Sequence, residues 1–212
     1  MDKLDYKKTY KELYQPKNEP SLIEVPVMSY IMVEGQGDPN TSSEYKEAVK
    51  LLYNLSYSIK MGLKKQDKPI GYIDYVVFPL EGLWWFDEEV INGNVKERKA
   101  DFNWIMMIRQ PDFISEEIFK SAQLSVAKKK TELDINKACF KSFKEGLCVQ
   151  IMHNGAYDDE PATIAKLDDF VAKNGYRTEM KELRQHHEIY LSDPRKVSVE
   201  KLRTIIRHPI IR

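Results

Sequence analysis

The chain carries an internal repeat, and this repeat limits its fold more than any other sequence feature. Two segments that lie 120 positions apart share the same residue at four of eight positions. The shared residues are Ile31, Met32, Gly35 and Asp38 in the first segment and Ile151, Met152, Gly155 and Asp158 in the second. In both segments an apolar run gives way to turn-forming residues, as at the end of a strand. We therefore interpret the chain as two related units.

Each unit has the predicted order strand, helix, strand, strand. In the first unit, Thr41 and Glu44 form a capping box before apolar residues at helical spacing, and a turn or bulge at 79–82 interrupts an aromatic strand. The elements of unit one (23–111) are a strand over 25–33, a helix from Thr41 to Gly62, and strands over 75–86 and 102–108. Those of unit two (143–212) are a strand over 147–152, a helix over 162–174, a strand over 186–191, a short helix opened by Ser198, and a strand over 204–210.

Two further segments lie outside the repeat. Residues 1–22 would form an arm on the domain, which spans 23–212. A helix over 115–130 would link the units, because its acidic start and lysine-rich end suit the helix dipole. The sequence thus predicts an α+β fold in which two units, related by a pseudo-twofold axis, form one antiparallel sheet. Helices would cover one face of the sheet, and a ligand cleft would lie on the other.

Charge and cysteine content exclude several classes of function. The chain has 33 Lys and Arg against 33 Asp and Glu, which argues against nucleic acid as a direct partner. Cys139 and Cys148 form no metal-ligand motif, and the adjacent His186 and His187 would point to opposite faces of a strand, so we expect no metal and no cofactor. The N-terminal segment is too charged for a signal peptide, and no apolar run reaches the length of a membrane span, which predicts a cytoplasmic protein.

Four segments together resemble a known family. They are Gly35–Asn40 (GQGDPN), Pro79–Trp85 (PLEGLWW), His153–Tyr157 (HNGAY) and His187–Pro194 (HEIYLSDP). With the repeated order of elements, they make residues 20–212 similar to the GyrI-like (gyrase-inhibitor-like) small-molecule-binding domain. The resemblance implies two units around a concave cleft that accepts aromatic, often cationic, drug-like molecules.

The resemblance also implies competing roles. In transcription activators of the family, the domain is an effector sensor fused to a DNA-binding region. About twenty residues precede the domain here, so a sensor would act through a partner protein. Other stand-alone relatives are similar to enzymes that open the cyclopropane of DNA-alkylating toxins by adding water. A third role, binding another protein such as a topoisomerase, is implied by the member that gives the family its name, and no residue here favours it.

Glu188 is the first candidate for a catalytic residue. Strand alternation places it on one face with His186 and Tyr190, and the resemblance puts a glutamate at this position in the cleft. Among aromatic side chains, a carboxylate can act as a general base towards water or attract a cationic ligand. As an ordinary sheet residue it would instead be solvated or salt-bridged. Tyr190, and Tyr157 in the loop after Gly155, are candidate hydroxyl donors to a developing oxyanion.

The remaining candidates would line the cleft. Trp84 and Trp85 offer flat faces for stacking, and the break at 79–82 leaves open which of them faces the ligand. Glu81 could divide acid and base roles with Glu188, or it could cap backbone amides of its own turn. The other ligand-binding candidates are Tyr75, Trp104 and His153, for which the alternative is a structural side chain.

These observations predict a cofactor-free hydrolase that binds hydrophobic planar molecules in an aromatic cleft with a central glutamate. Its reaction would be the hydrolytic opening of cyclopropane-containing genotoxins, as a detoxification step. The alternative is a non-catalytic protein that binds or senses many drug-like small molecules. In both cases the partner is a hydrophobic aromatic small molecule rather than nucleic acid or a membrane.

Overall fold

Seven strands and five helices make up the part of the chain that the computed structural model describes, residues 3–65, 68–87 and 98–212. The helices are α1 (Tyr6–Thr9), α2 (Lys11–Tyr14), α3 (Ser43–Leu63), α4 (Glu116–Lys129) and α5 (Glu160–Lys173). The strands are β1 (Ser21–Gln36), β2 (Leu80–Trp85), β3 (Asn103–Gln110), β4 (Ala138–Asn154), β5 (Arg177–Thr178), β6 (His186–Tyr190) and β7 (Arg203–Ile211).

The sheet closes on itself. Its antiparallel strands run in the order β4-β1-β3-β2-β6-β7, and pairing of β4 with β7 completes a barrel, while β5 pairs with β7 at one end. β1 and β4 are long enough to take part in two pairings each. Closure gives each of these six strands a neighbour on both sides over part of its length, so most backbone groups of the barrel wall pair within it.

Strands of the two predicted units pair with each other in the barrel. Unit one contributes β1, α3, β2 and β3, unit two contributes β4, α5, β6 and β7, and α4 links them. β1 pairs with β4 and β2 pairs with β6, so these strands of one unit meet their counterparts in the other. This arrangement confirms the predicted α+β fold class. Residues 88–97, which fall in predicted unit one, lie outside the described residues.

The long helices α3 and α5 lie on the same face of the sheet. Gln110 of β3 donates to the Ser56 hydroxyl of α3 at 3.2 Å, and His153 of β4 is hydrogen-bonded to Thr163 of α5 at 2.8 Å. Both sheet residues alternate onto this outer face of the barrel. Within the described ranges, none of the helices combines the length and apolar character that a bilayer span requires.

The opposite face of the sheet, inside the barrel, holds a fully buried ionic network. The two ring nitrogens of His187 lie 3.0 Å from Glu81 and 3.1 Å from Glu145. Because an ionised carboxylate can only accept, both nitrogens must donate, and His187 is an imidazolium ion. Arg207 donates to the other oxygen of Glu145 at 3.2 Å. Burial would raise the pKa of Glu145, but His187 and Arg207 prevail and lower it to about 2.

The N-terminal segment is tied to this network. Arg207 donates to the carbonyl oxygen of Leu13 at 2.9 Å, and Gln150 donates to that of Glu12 at 2.6 Å. Tyr14 is buried and accepts from Arg109 at 3.3 Å. Residues 10–15 therefore cover barrel polar groups that water would otherwise reach.

Several element boundaries differ from the predicted ones; β1 and β4 are longer than predicted, and β5 was not predicted. Ser42, rather than Thr41, caps α3 and accepts from the backbone N–H of Tyr45 at 3.2 Å. The aromatic strand begins only at Leu80, because Tyr75 forms an isolated bridge with Leu4 of the N-terminal segment. β2 then continues without a bulge through the predicted break at 79–82, so its side chains alternate regularly.

The ionic network predicts that stability falls at alkaline pH. Burial disfavours the charged form of His187, but Glu145 and Glu81 prevail and raise its pKa from 6.5 to about 9. The stabilisation is therefore complete below pH 6.5 and is lost as pH rises through about 9. We expect the free energy of unfolding to fall by about 3 kcal/mol over this interval. Urea unfolding of the wild type and of His187→Gln at several pH values measures it. Equal pH slopes for the two proteins would contradict the assignment.

Candidate functional site

A cluster of acidic, histidine and aromatic side chains lies on the outer face of the barrel, beside the N-terminal ends of α3 and α5. It brings together three predicted catalytic residues, Glu188, Tyr190 and Tyr157, with the predicted ligand-binding residue Trp84. The antiparallel register places Gly82 opposite Glu188 and Trp84 opposite His186. The cluster thus lies on the face that carries the helices, between them, whereas the sequence expectation put the cleft on the helix-free face.

Glu188 accepts a hydrogen bond from a donor on its own strand. Its Oε1 lies 3.1 Å from Nε2 of His186, which must donate because the carboxylate can only accept. The Tyr190 hydroxyl lies close to Glu188, and burial together with the nearby charge of Glu188 raises its pKa well above the usual value. The side chain is 12% exposed, so it faces neither bulk water nor the closed interior. A carboxylate fixed in this way can accept a proton or bind a cation without reorganising.

Behind His186 lies a second histidine that fixes its ring. Nε2 of His208 is 2.7 Å from Nδ1 of His186. Burial, followed by the neighbouring His186, lowers the pKa of His208 to about 3, so His208 is neutral at pH 7. A neutral His208 can donate from Nε2 to His186, which leaves the proton of His186 on the nitrogen that faces Glu188.

Trp84 reaches the cluster because Gly82 lies next to it on the same face. The indole N–H donates to the Tyr190 hydroxyl at 3.0 Å. A Cβ atom on Gly82 would stand 2.7 Å from the Trp84 nitrogen and 3.1 Å from the sulfur of Met106. Glycine at this position therefore lets the indole ring fold over the sheet towards Tyr190.

Tyr45 is an aromatic member of the cluster that the sequence analysis treated only as a helix residue. Its ring centroid lies 6.0 Å from that of Trp84 and 5.5 Å, edge on, from that of Trp104. Trp104 is fully buried and its ring covers Gly35 of the neighbouring strand. Trp104 thus packs against Tyr45 from the buried side. Tyr45 and Trp84 form the aromatic wall of the cluster.

Glu160, the first residue of α5, was not singled out from the sequence. It is 6% exposed, and its Oε1 has no hydrogen-bond partner among the described residues. Burial, then the nearby charges of Glu188 and Asp158, raise its pKa to about 10. In the sequence, the only feature that could have indicated Glu160 as a site residue is its position at the start of a helix, next to the turn that carries Tyr157.

Tyr157 lies at the rim of the cluster. Its ring meets that of Tyr190 edge on at 5.8 Å, and it is 36% exposed. Burial and the charge of Glu188 raise its pKa to about 12, so the hydroxyl keeps its proton at neutral pH. It can therefore act as a hydrogen-bond donor to a bound ligand.

Four predicted ligand-binding residues do not join the cluster. Glu81 faces the barrel interior, where it accepts from His187. Trp85 is also on the opposite side of the sheet from Trp84, and lines a cavity of about 250 Å³. Tyr75 is buried against Tyr6 and Phe113. His153 is engaged by Thr163 and by the carbonyl oxygen of Ala156, so it holds the loop that carries Tyr157 rather than a ligand.

One group of side chains has the composition of a metal site. A carboxylate oxygen of Glu160, one of Glu188 and a ring nitrogen of His186 all lie within 4.8 Å of one another. Oxygen and imidazole ligands suit divalent transition metals. The same spacing also suits a water molecule or an ammonium group, so the donor set alone does not select a metal.

Comparison with known proteins decides the family. A family model described as the GyrI-like small molecule binding domain matches residues 18–211. The chain belongs to the GyrI-like family. This finding confirms the resemblance of the four sequence segments.

Solved structures agree with the family assignment. A crystal structure of an uncharacterized conserved protein from Listeria innocua is 42% identical, with a TM-score of 0.91 over 99% of this chain and 100% of that one. A hydrolase from Listeria innocua is 41% identical, with a TM-score of 0.87 and the same coverage. The C-terminal domain of EcmrR shares the fold at 15% identity, with a TM-score of 0.55 over 92% of this chain and 98% of that one. No curated protein matches the chain.

Gly82 provides a test of the cluster's geometry in this GyrI-like domain. We expect Gly82→Ala to displace Trp84, break its bond to Tyr190 and destabilise the fold by about 1–3 kcal/mol, because a Cβ has no room there. Gly62→Ala on α3 is the matched control, since its Cβ meets nothing within 4 Å and should stabilise the helix. Thermal unfolding compares the two. A Gly82→Ala protein as stable as Gly62→Ala would contradict the packing described.

Proposed function

We propose that this GyrI-like domain binds hydrophobic planar small molecules beside Glu188 and opens cyclopropane rings conjugated to a dienone by adding water. The observation that carries the proposal is the fixed carboxylate of Glu188, 12% exposed and surrounded by the rings of Tyr45, Trp84 and Tyr157. No P-loop, dinucleotide fingerprint or serine triad is readable in the sequence, so water and a carboxylate supply the chemistry.

The reaction needs one base and one oxyanion donor. Glu188 takes a proton from water while the water oxygen bonds to the strained carbon. The cyclopropane C–C bond breaks, and its electron pair passes through the dienone to the carbonyl oxygen. That oxygen then takes up the proton, and Glu188 is regenerated. Ring strain and aromatisation of the product supply much of the driving force, so modest catalysis is enough.

The hydroxyl groups of the site have different tasks. The Tyr190 hydroxyl lies beside Glu188 and accepts from Trp84. We assign it the role of orienting the base. Tyr157, which keeps its proton to about pH 12 and lies at the rim, is the better donor to the developing oxyanion. The aromatic wall of Tyr45 and Trp84 would hold the planar substrate by stacking.

The relatives are compatible with this proposal. A protein 41% identical to this chain over its full length is called a hydrolase, and the family model describes small-molecule binding. Detoxification of genotoxins is our specific interpretation of these two broader descriptions.

Glu188→Gln tests the role of the base. We expect it to lower turnover by about 10²- to 10⁴-fold, the effect of a lost general base, while binding of neutral ligands is kept. The assay incubates the purified protein with a cyclopropyl-dienone compound and detects the water-added product by mass spectrometry. Glu47→Gln, an exposed charge removal on α3, is the control and should leave turnover unchanged. Equal turnover of Glu188→Gln and wild type would remove Glu188 from the chemistry.

A second candidate function is binding or sensing without catalysis. The observation in its favour is that two carboxyl groups, those of Glu160 and Glu188, lie close together beside aromatic rings, a combination that suits an organic cation. Glu188 would then serve as a counter-charge.

A thermal-shift panel separates this function from hydrolysis. If Glu188 is a counter-charge, cationic aromatic compounds should raise the melting temperature more than neutral ones of the same shape, and Glu188→Gln should abolish the difference. Equal shifts for both classes, together with the water-added product from a cyclopropyl dienone, would favour hydrolysis over sensing.

A further inference from the structure

Glu160 is a buried acid that the proposed chemistry does not yet use. It begins α5, is 6% exposed, and its Oε1 lacks a partner among the described residues. An unpartnered buried carboxyl oxygen costs stability and calls for an explanation. Across the cluster, its carboxyl group lies within 4.8 Å of both Glu188 and His186.

The surroundings of Glu160 favour its neutral form. The charged groups that face it are Glu188 from β6, Asp158 from the preceding turn, and Lys99, which is ion-paired with Asp158 at 2.6 Å. Tyr157 and Tyr190 also lie near and stay protonated. Burial and the two acidic neighbours raise the pKa of Glu160 to about 10. The helix dipole opposes this by only about 0.3–1 kcal/mol, which is less than one pKa unit.

The spacing of the two carboxyl groups limits what they can do together. A separation of at most 4.8 Å is shorter than the distance between the carbonyl oxygen of a cyclopropyl dienone and the carbon that water attacks. The pair therefore cannot serve opposite ends of the substrate. Two hydrogen bonds of ordinary length that meet at one water oxygen span about 4.5 Å, which fits within the limit of 4.8 Å. Both carboxyl groups can therefore bind the same water molecule.

We propose that Glu160 is a water-positioning residue that holds the attacking water together with Glu188. The water donates one O–H to Glu188 and the other to the carbonyl oxygen of Glu160. A lone pair is left free for the strained carbon. His186 fixes Glu188 by its hydrogen bond at 3.1 Å, so the water has one orientation. The inference rests on the proposed hydrolysis.

The chemical step balances with this role. The water forms one C–O bond, the cyclopropane C–C bond breaks, and the proton taken by Glu188 passes to the oxygen of the opened dienone. Glu160 keeps its proton throughout. If Glu160 were ionised, a second negative charge would stand beside Glu188 and disfavour the state in which Glu188 is the base.

The test compares two substitutions at Glu160. Glu160→Gln keeps a neutral side chain with a carbonyl oxygen, so at pH 7 it should lose less than about tenfold in turnover. Glu160→Leu removes the acceptor and should lose about 10²-fold or more, because the water is no longer oriented. Glu160→Leu should raise the melting temperature, since it removes the unpartnered buried carboxyl oxygen. Asp159→Asn, an exposed neighbour, is the control and should leave turnover and pH profile unchanged.

The pH profile gives a readout that a structural role would not produce. Wild-type turnover of a cyclopropyl dienone should fall as pH rises through about 10, where Glu160 ionises, and Glu160→Gln should not show this fall. The same alkaline fall in both proteins, with each shown by circular dichroism to be folded at that pH, would overturn the proposal, as would a Glu160→Gln protein as inactive as Glu160→Leu. Loss of turnover with a chelator and recovery with Zn²⁺ would also overturn it, because the three groups would then hold a metal.

Failure of the hydrolysis itself is distinguishable. A wild type without turnover would contradict the proposed function. Infrared spectra at pH 8 would then still decide the state of Glu160: a protonated-carboxyl band present in the wild type and absent in Glu160→Gln supports a neutral Glu160, and absence of the band in both overturns it.

Discussion

The antiparallel register between β2 and β6 determines which side chains of this domain can meet. Gly82 lies opposite Glu188, and Leu83 lies opposite His187. The side chains of neighbouring residues on each strand therefore lie on different sides of the barrel wall. On the outer side, Glu188 joins Trp84 and the helix ends. On the inner side, His187 joins Glu81 and Glu145 in a closed ionic network. A slip of one residue would exchange the two sets and bury Glu188 among like charges.

The two sides of the barrel wall surround their buried acids with different charges. Inside the barrel, Glu145 and His187 neutralise each other, and Arg207 is held by Glu145, Gln150 and the N-terminal segment. Outside, the acids Glu188 and Asp158 face Glu160. Unpartnered buried carboxylate oxygens occur on both sides, at Glu81 inside and at Glu160 outside. The two sides therefore differ in how charges are paired, not in whether every polar atom has a partner.

Much of the fold could be predicted from the sequence because the signals are local or repeated. The capping residues before α3 and α4, the apolar periodicity and the internal repeat define the two units and their order. The sequence also indicated four candidate site residues that the structure places together: Glu188, Tyr190, Tyr157 and Trp84. What it could not give are contacts between distant segments. His208 meets His186 only because β6 and β7 pair, and Glu160 reaches Glu188 only through the packing of α5. Glu81 was misleading because the proline and glycine around it suggested a bulge, while the strand is in fact regular.

The pseudo-twofold axis that relates the two units passes between β2 and β6, because these equivalent strands pair with each other. The axis makes Leu80 of unit one equivalent to Glu188 of unit two. It likewise makes Gly82 equivalent to Tyr190. Unit two therefore has an acid, Glu188, and a phenol, Tyr190, at the positions where unit one has Leu80 and Gly82. The backbone of the domain is thus nearly symmetric, whereas the side chains at its centre are not, so the two halves cannot replace each other there.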